Sequence, residues 1–170
     1  MSMIKSRTYK EEKTRKKKTV IRVVDIIEVD NYDMEQRVRA IIYLKQLDII
    51  EVSKAFGTCN EQRFIGRCKT GKLNFAEQRE IAKILGVDIV IRMVIDDHII
   101  EADTVKEMIE EACRIKGESI SELSGAFEIT KQAMSRRLSN GRFTHEELDE
   151  FADHFDGRYY NYFVMDGIKF

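Results

Sequence analysis

ISELSGAFEITKQAMSRRLSNG, residues 120–141, is the stretch that decides the fold. Leu123 and Phe127 stand four apart, as do Met134 and Leu138, so each half carries an apolar stripe at helical spacing. Between the halves, Glu128-Ile129-Thr130 breaks the period, and Thr130 is a side-chain acceptor of the kind that starts a new helix. Asn140-Gly141 is a helix stop. The stretch therefore predicts two short helices joined by a tight turn. Ser119 caps the first, with Glu122 placed to reach back to it. The outer face of the second helix carries Lys131, Gln132, Ser135, Arg136 and Arg137, with Arg142 just beyond. From Thr130 to Arg142 there are four cations and no acid.

Working outward, the same pattern occurs a second time. A shift of 71 residues lays Met34 on Val105, Val38 on Ile109, Val52 on Leu123 and Phe56 on Phe127. After Asn60 the shift becomes 70, laying Phe64 on Met134, Cys68 on Leu138, Leu73 on Phe143 and Leu85 on Phe155. The first copy thus holds one extra residue around Thr58–Asn60. Sparse identity over a matched apolar pattern is the signature of an internal duplication. Each copy reads as four short helices. Their starts are marked by an acceptor followed three residues later by Glu or Gln: Asp33/Gln36, Asp48/Glu51 and Asn74/Glu77, then Thr104/Glu107, Ser119/Glu122 and Thr144/Glu147.

After the fourth helix of each copy the period changes. Ile89–Ile95 followed by Asp96-Asp97, and Tyr159–Met165 followed by Asp166-Gly167, are rich in β-branched and aromatic residues and end on two-residue turn signals. A lone hairpin is marginal, so the two are expected to pair into one small sheet. The expected fold is mostly α with small β additions. Its divisions are a basic arm over 1–19, a linking strand or helix over 20–33, one helix-turn-helix unit plus hairpin over 34–102, and another over 103–170. Val20–Val29 fits a strand or a helix equally.

Residues 120–141 resemble the Cro/repressor (xenobiotic-response-element) helix-turn-helix family. Ser119 matches the family's N-cap, Leu123 and Phe127 its core positions, Ile129 the apolar residue closing the turn, and Ser135 a position where Ser is common. The strand with its aspartate turn, YFVMDGIKF, is similar to an appendage on many such proteins from bacterial mobile elements. The resemblance covers residues 34–170, more fully in the second copy. It implies tandem lambda-repressor-like bundles and a cytoplasmic, sequence-specific regulator of transcription acting on double-stranded DNA as a repressor. Two linked units would imitate the dimer that single-copy relatives form. Two departures stand out: Glu128 replaces the usual turn glycine, and Gly66 lies within the first copy's recognition helix.

The chemistry agrees with a DNA reader. Gln132 is suited to adenine and Arg136 to guanine, while neighbouring cations suit phosphates. The first copy offers Gln62, Arg63, Arg67, Lys69 and Lys72. Residues 1–19 hold eight Lys or Arg against two Glu, Lys16, Lys17 and Lys18 among them, like an arm that follows a phosphate backbone. With the whole chain at −1, residues 20–170 sum to −7, so local patches say more than total charge. No enzyme motif is present: the three histidines are scattered, and there is neither an HExxH nor a phosphate-cradling glycine loop. Cys59, Cys68 and Cys113 lack metal-site spacing, so neither a metal nor a cofactor is expected. No apolar run is long enough to span a membrane. A rival from another class is a mobile-element inhibitor or adaptor that grips a protein with the same fold. A homodimer through the hairpin sheet also stays open.

Overall fold

A computed structural model of the chain describes residues 33–170. The expected arm, with Lys16, Lys17 and Lys18, and the segment 20–29 lie outside the described residues. The first copy comprises α1 (Met34–Leu44), α2 (Ile49–Ala55), α3 (Glu61–Thr70) and α4 (Phe75–Leu85), then β1 (Asp88–Ile95) and β2 (His98–Ile100). The second comprises α5 (Val105–Lys116), α6 (Ile120–Ala126), α7 (Lys131–Asn140) and α8 (His145–His154), then β3 (Arg158–Met165) and β4 (Ile168–Lys169). The chain is mostly helical with a small antiparallel sheet.

Local chemistry sets the helix starts. Asp33, Asp48, Asn74, Thr104, Ser119 and Thr144 all cap their helices by accepting from a backbone N–H of the first turn. Three of the pairs are reciprocal, Glu77, Glu122 and Glu147 accepting in turn from the N–H of Asn74, Ser119 and Thr144. Thr130 caps α7, and Asn60 does the same for α3 across the one-residue-longer turn. Glu128 takes the left-handed conformation, φ 54°, at the position where the first copy has Gly57 at φ 76°. The backbone demand of the turn is thus the same in both copies, and the second meets it without a glycine.

The hairpins pair as one sheet in the order β2-β1-β3-β4. In the central antiparallel pair, Ile91 lies opposite Asn161. These two residues are repeat equivalents, so a local two-fold axis passes between them and relates the copies. Both hairpin turns place two successive residues at positive φ: Asp96 and Asp97 at 46° and 65°, Asp166 and Gly167 at 51° and 79°.

Packing crosses the axis. Ile91, Met93, Ile95 and Ile100 of the first hairpin are buried among the helices of the second copy, with Met108, Phe151 and Phe155. Phe163 and the C-terminal Phe170 are buried among the helices of the first, with Phe64, Ile81 and Leu85. Each copy therefore completes its core with the other's hairpin, as in an exchanged dimer linked into one chain. One expected equivalence is uneven. Phe56 is buried, but Phe127 is only partly so, its ring lying 4.6 Å from that of Phe151 at the edge of the core.

Candidate nucleic-acid interface

The helices that the sequence predicts as recognition helices are α3 and α7. In α7, Met134 and Leu138 are buried and anchor the helix, which leaves Lys131, Gln132, Ser135 and Arg136 exposed on its outer side. None of these four makes a side-chain hydrogen bond or ion pair to the described residues.

The remaining cations are tethered. Arg137 donates to Glu147 at 2.5 Å and lies 4.8 Å over the Phe143 ring. Its repeat equivalent Arg67 pairs with Glu77, the equivalent of Glu147, and lies 5.1 Å over Phe56. The same arginine–glutamate clasp therefore ties each recognition helix to the helix after it. Arg142 crosses between the copies, donating to Glu77 at 3.1 Å and to the Lys72 carbonyl at 3.5 Å. Glu77 thus gathers Arg67, Arg142 and its own capping bond on one carboxylate.

The first copy's recognition helix presents a plainer surface. Gln62, the equivalent of Gln132, is exposed, as are Arg63 and Lys72, and Arg63 donates to the Cys59 sulfur at 3.5 Å. Where α7 shows Ser135 and Arg136, α3 has a buried Ile65 and the bare backbone of Gly66. Lys69, at the far end of α3, borders a cleft between the copies.

The segments that follow the two helices meet, so their C-terminal ends lie toward the junction between the copies. A methyl group added at Gly141 would lie 3.7 Å from the Asn74 side chain, and Arg142 reaches Lys72 nearby. Lys131 and Gln132 lie at the opposite end of a ten-residue helix, roughly 15 Å away at 1.5 Å per residue. The ends that carry Lys131 and Gln132 are thus the ends furthest from the junction.

Two features escape reading from sequence alone. Glu77 is visible as a capping residue, but its second task joins residues 65 apart along the chain. The other is a set of polar side chains at the junction. Arg37 sits on the inward face of α1 beside buried Val38 and Ile41, and its Nη1 donates to the Asn161 carbonyl at 2.5 Å. Asn161 Nδ2 donates to Gln78 Oε1 at 2.7 Å and to the Tyr159 hydroxyl at 3.0 Å. His145 and Asp149 lie 3.2 Å apart alongside. Burial holds the Asp149 carboxyl above its usual range and the His145 imidazole below its own. The signal available in the sequence was a polar residue wherever the repeat alignment puts an apolar one.

Burial also pushes the Cys68 thiol up to about 12 and the Cys113 thiol up to about 11, which leaves both as inert packing groups. Among the described residues no group of three or more His, Cys, Asp or Glu is placed to hold a metal ion, and no helix is long and apolar enough to cross a membrane. No family model, curated protein or solved structure matches the chain.

Proposed function

We propose that the chain is a sequence-specific double-stranded DNA-binding regulator of the Cro/repressor helix-turn-helix type, a repressor in which one polypeptide takes the place of a dimer. The observation that carries this reading is the set of Lys131, Gln132, Ser135 and Arg136, exposed and unpaired among the described residues on a helix anchored by its inner face. A groove-reading helix needs donors and acceptors that are free of internal partners. The local two-fold axis adds support, since paired recognition elements suit paired half-sites.

The roles divide accordingly. Gln132 and Arg136 read base edges, Lys131 and Ser135 contact the backbone or an adjoining base, and Arg137, Arg67 and Arg142 hold the recognition helices in place. Gln62, Arg63 and Lys72 make the first copy a weaker second contact. The basic arm over residues 1–19 adds phosphate contacts.

The test is selection of bound sequences from a random duplex library, followed by salt titration on the winner. An inverted repeat whose affinity falls steeply with salt is the expected result. Weak, sequence-blind binding would overturn the reading. A protein partner is the alternative, and it draws on the outer face of the sheet, where Val90, Val94, Tyr160, Tyr162 and Val164 are all partly exposed.

A further inference from the structure

The two copies are joined on the strand side by the central pair of the sheet and by the crossed hairpins. α3 and α7 pack mainly on other helices, α1 and α2 in the first copy and α5 and α6 in the second. Beside the ends of these two helices, the hydrogen bonds that cross between the copies come from Arg142. It is the first residue after Gly141, whose left-handed backbone, φ 61°, ends α7. Its Nη2 donates to Glu77 Oε1 at 3.1 Å and its Nη1 to the Lys72 carbonyl at 3.5 Å. One guanidinium thus links the end of α7 to the segment that follows α3.

The acceptor is itself fixed. Glu77 caps α4 by accepting from the Asn74 N–H at 2.9 Å, pairs with Arg67 of α3, and has a side chain only 17% exposed. Arg142 therefore grips a carboxylate that already belongs to the frame of the first copy. The grip has no counterpart across the local two-fold axis. Lys72 is the repeat equivalent of Arg142, and its side chain makes no hydrogen bond or ion pair among the described residues. Glu147 holds only Arg137 and its own cap. With two N–H groups engaged, the planar fork of an arginine sets direction as well as distance, which an ammonium does not. A half-exposed ion pair adds little to stability, so the effect of this one belongs in the relative placement of α3 and α7 rather than in the melting temperature.

We propose that Arg142 is a positioning residue that sets which half-site spacing the chain accepts. This rests on the DNA-binding reading above. Half-sites one turn apart lie roughly 34–36 Å and 10–10.5 base pairs from centre to centre, so one base pair moves a half-site by about 3.4 Å and turns it by about 35°. With their C-terminal ends pinned together, α3 and α7 match one such placement. With the pin removed, the helices swing about the strand-side join, and neighbouring placements are accepted too.

The experiment compares the full chain with Arg142→Gln on duplexes carrying the selected half-sites at the preferred spacing and at one base pair shorter and longer. The unaltered chain should bind the preferred spacing roughly tenfold more tightly than either neighbour, and Arg142→Gln should bring that ratio to about threefold or less. Affinity for a lone half-site and the salt dependence should stay unchanged, whereas a lost phosphate contact would flatten the salt slope by roughly 0.9 log unit. A second arm works without DNA. It reads the distance between spin labels on Gln62→Cys and Gln132→Cys, with Cys59→Ser removing the exposed native thiol while Cys68 and Cys113 stay buried. A single narrow distance distribution is expected with Arg142 and a wider one with Arg142→Gln. An unchanged spacing ratio, a flattened salt slope, or equal distance widths would each overturn the proposal. If no duplex sequence is preferred, the DNA-binding reading fails, and the label distances alone decide whether Arg142 positions the helices.

Discussion

The two copies share caps, turn conformation and the arginine–glutamate clasp, yet their recognition helices present different surfaces. In the second copy Ser135 and Arg136 face outward. In the first the same two places hold Ile65, drawn into the core, and Gly66. What both copies kept is what positions a helix, namely the buried anchors Phe64 and Cys68 or Met134 and Leu138 and the tie from Arg67 or Arg137 to the helix behind. What they did not both keep is what a positioned helix can touch. The scaffold is thus present twice, while the exposed set of a serine and an arginine on the outer face is present once.

The largest effect that can break this comparison lies in the crossed cores. Phe163 belongs to the second copy by sequence and to the first by packing, and it is fully buried. Phe163→Ala should cost about 3–5 kcal/mol of stability. Amide exchange should then speed up first in α1–α4 rather than in α5–α8. Loss of protection confined to the second copy's helices would show that the hairpins are not exchanged. The equivalent pair Phe56 and Phe127 sharpens the same point, because truncating buried Phe56 should lower the melting temperature more than truncating the partly buried Phe127.

Next in size is the split between reading and holding. Arg136→Ala should cost roughly 1–3 kcal/mol on the preferred duplex and much less on random DNA, measured as dissociation constants at one salt concentration. Arg67→Ala removes a clasp and a ring contact, so its loss should appear in the melting temperature and fall equally on specific and random DNA. If the two variants behave alike, the exposed and tethered cations have no separate roles.

The parts of the fold legible in the sequence are those with local causes. Six cap positions, the helix stops and the hairpin turns each depend on residues a few positions apart, and each could be placed from type and spacing alone. The left-handed Glu128 could not, because a glutamate does not mark that conformation and only the resemblance implied a glycine position there. The exchange of hairpins could not be read that way. An apolar strand face looks the same whichever helices cover it, and covering one's own helices or the partner copy's gives the same alternation. The candidate interface was legible in composition but not in pairing. Arg137 and Arg142 look as free as Arg136 in the sequence, and only the fold brings Glu147 and Glu77 to them. The same limit hid the polar junction, where Arg37, Gln78 and Asn161 come together from three separate elements.

A smaller effect tests whether Gly66 serves the first copy at all. It lies inside α3, it is exposed, and a methyl group there would meet nothing within 4 Å. Gly66→Ala should therefore raise stability by about 1 kcal/mol, through helix propensity alone. Gly66→Arg copies the second unit's side chain onto the same place and should tighten binding to the preferred duplex if α3 faces a groove. Unchanged binding with raised stability would make the first copy a support for the second.

The smallest expected effect separates the two hairpin turns. Both need positive φ at two successive residues, and Asp97 at 65° stands where the second turn has Gly167 at 79°. An L-residue is strained in that region and glycine is not, while glycine gives the unfolded chain more freedom to lose. The two terms oppose each other, so Asp97→Gly should gain only about 0.5 kcal/mol, read as a shift in the denaturant midpoint at constant slope. No ion pair is lost in the exchange, because Lys116 reaches Asp96 at 3.0 Å, and His98 Nδ1 lies 2.9 Å from the carbonyl of Asp96 rather than near Asp97. Gly167→Asp should lose a similar amount for the same reason, with nothing within 4 Å of the added carbon to complicate it. If Asp97→Gly instead lowers the midpoint, the aspartate side chain supports the first turn in a way the second does without, and the two hairpins are less alike than their backbone angles.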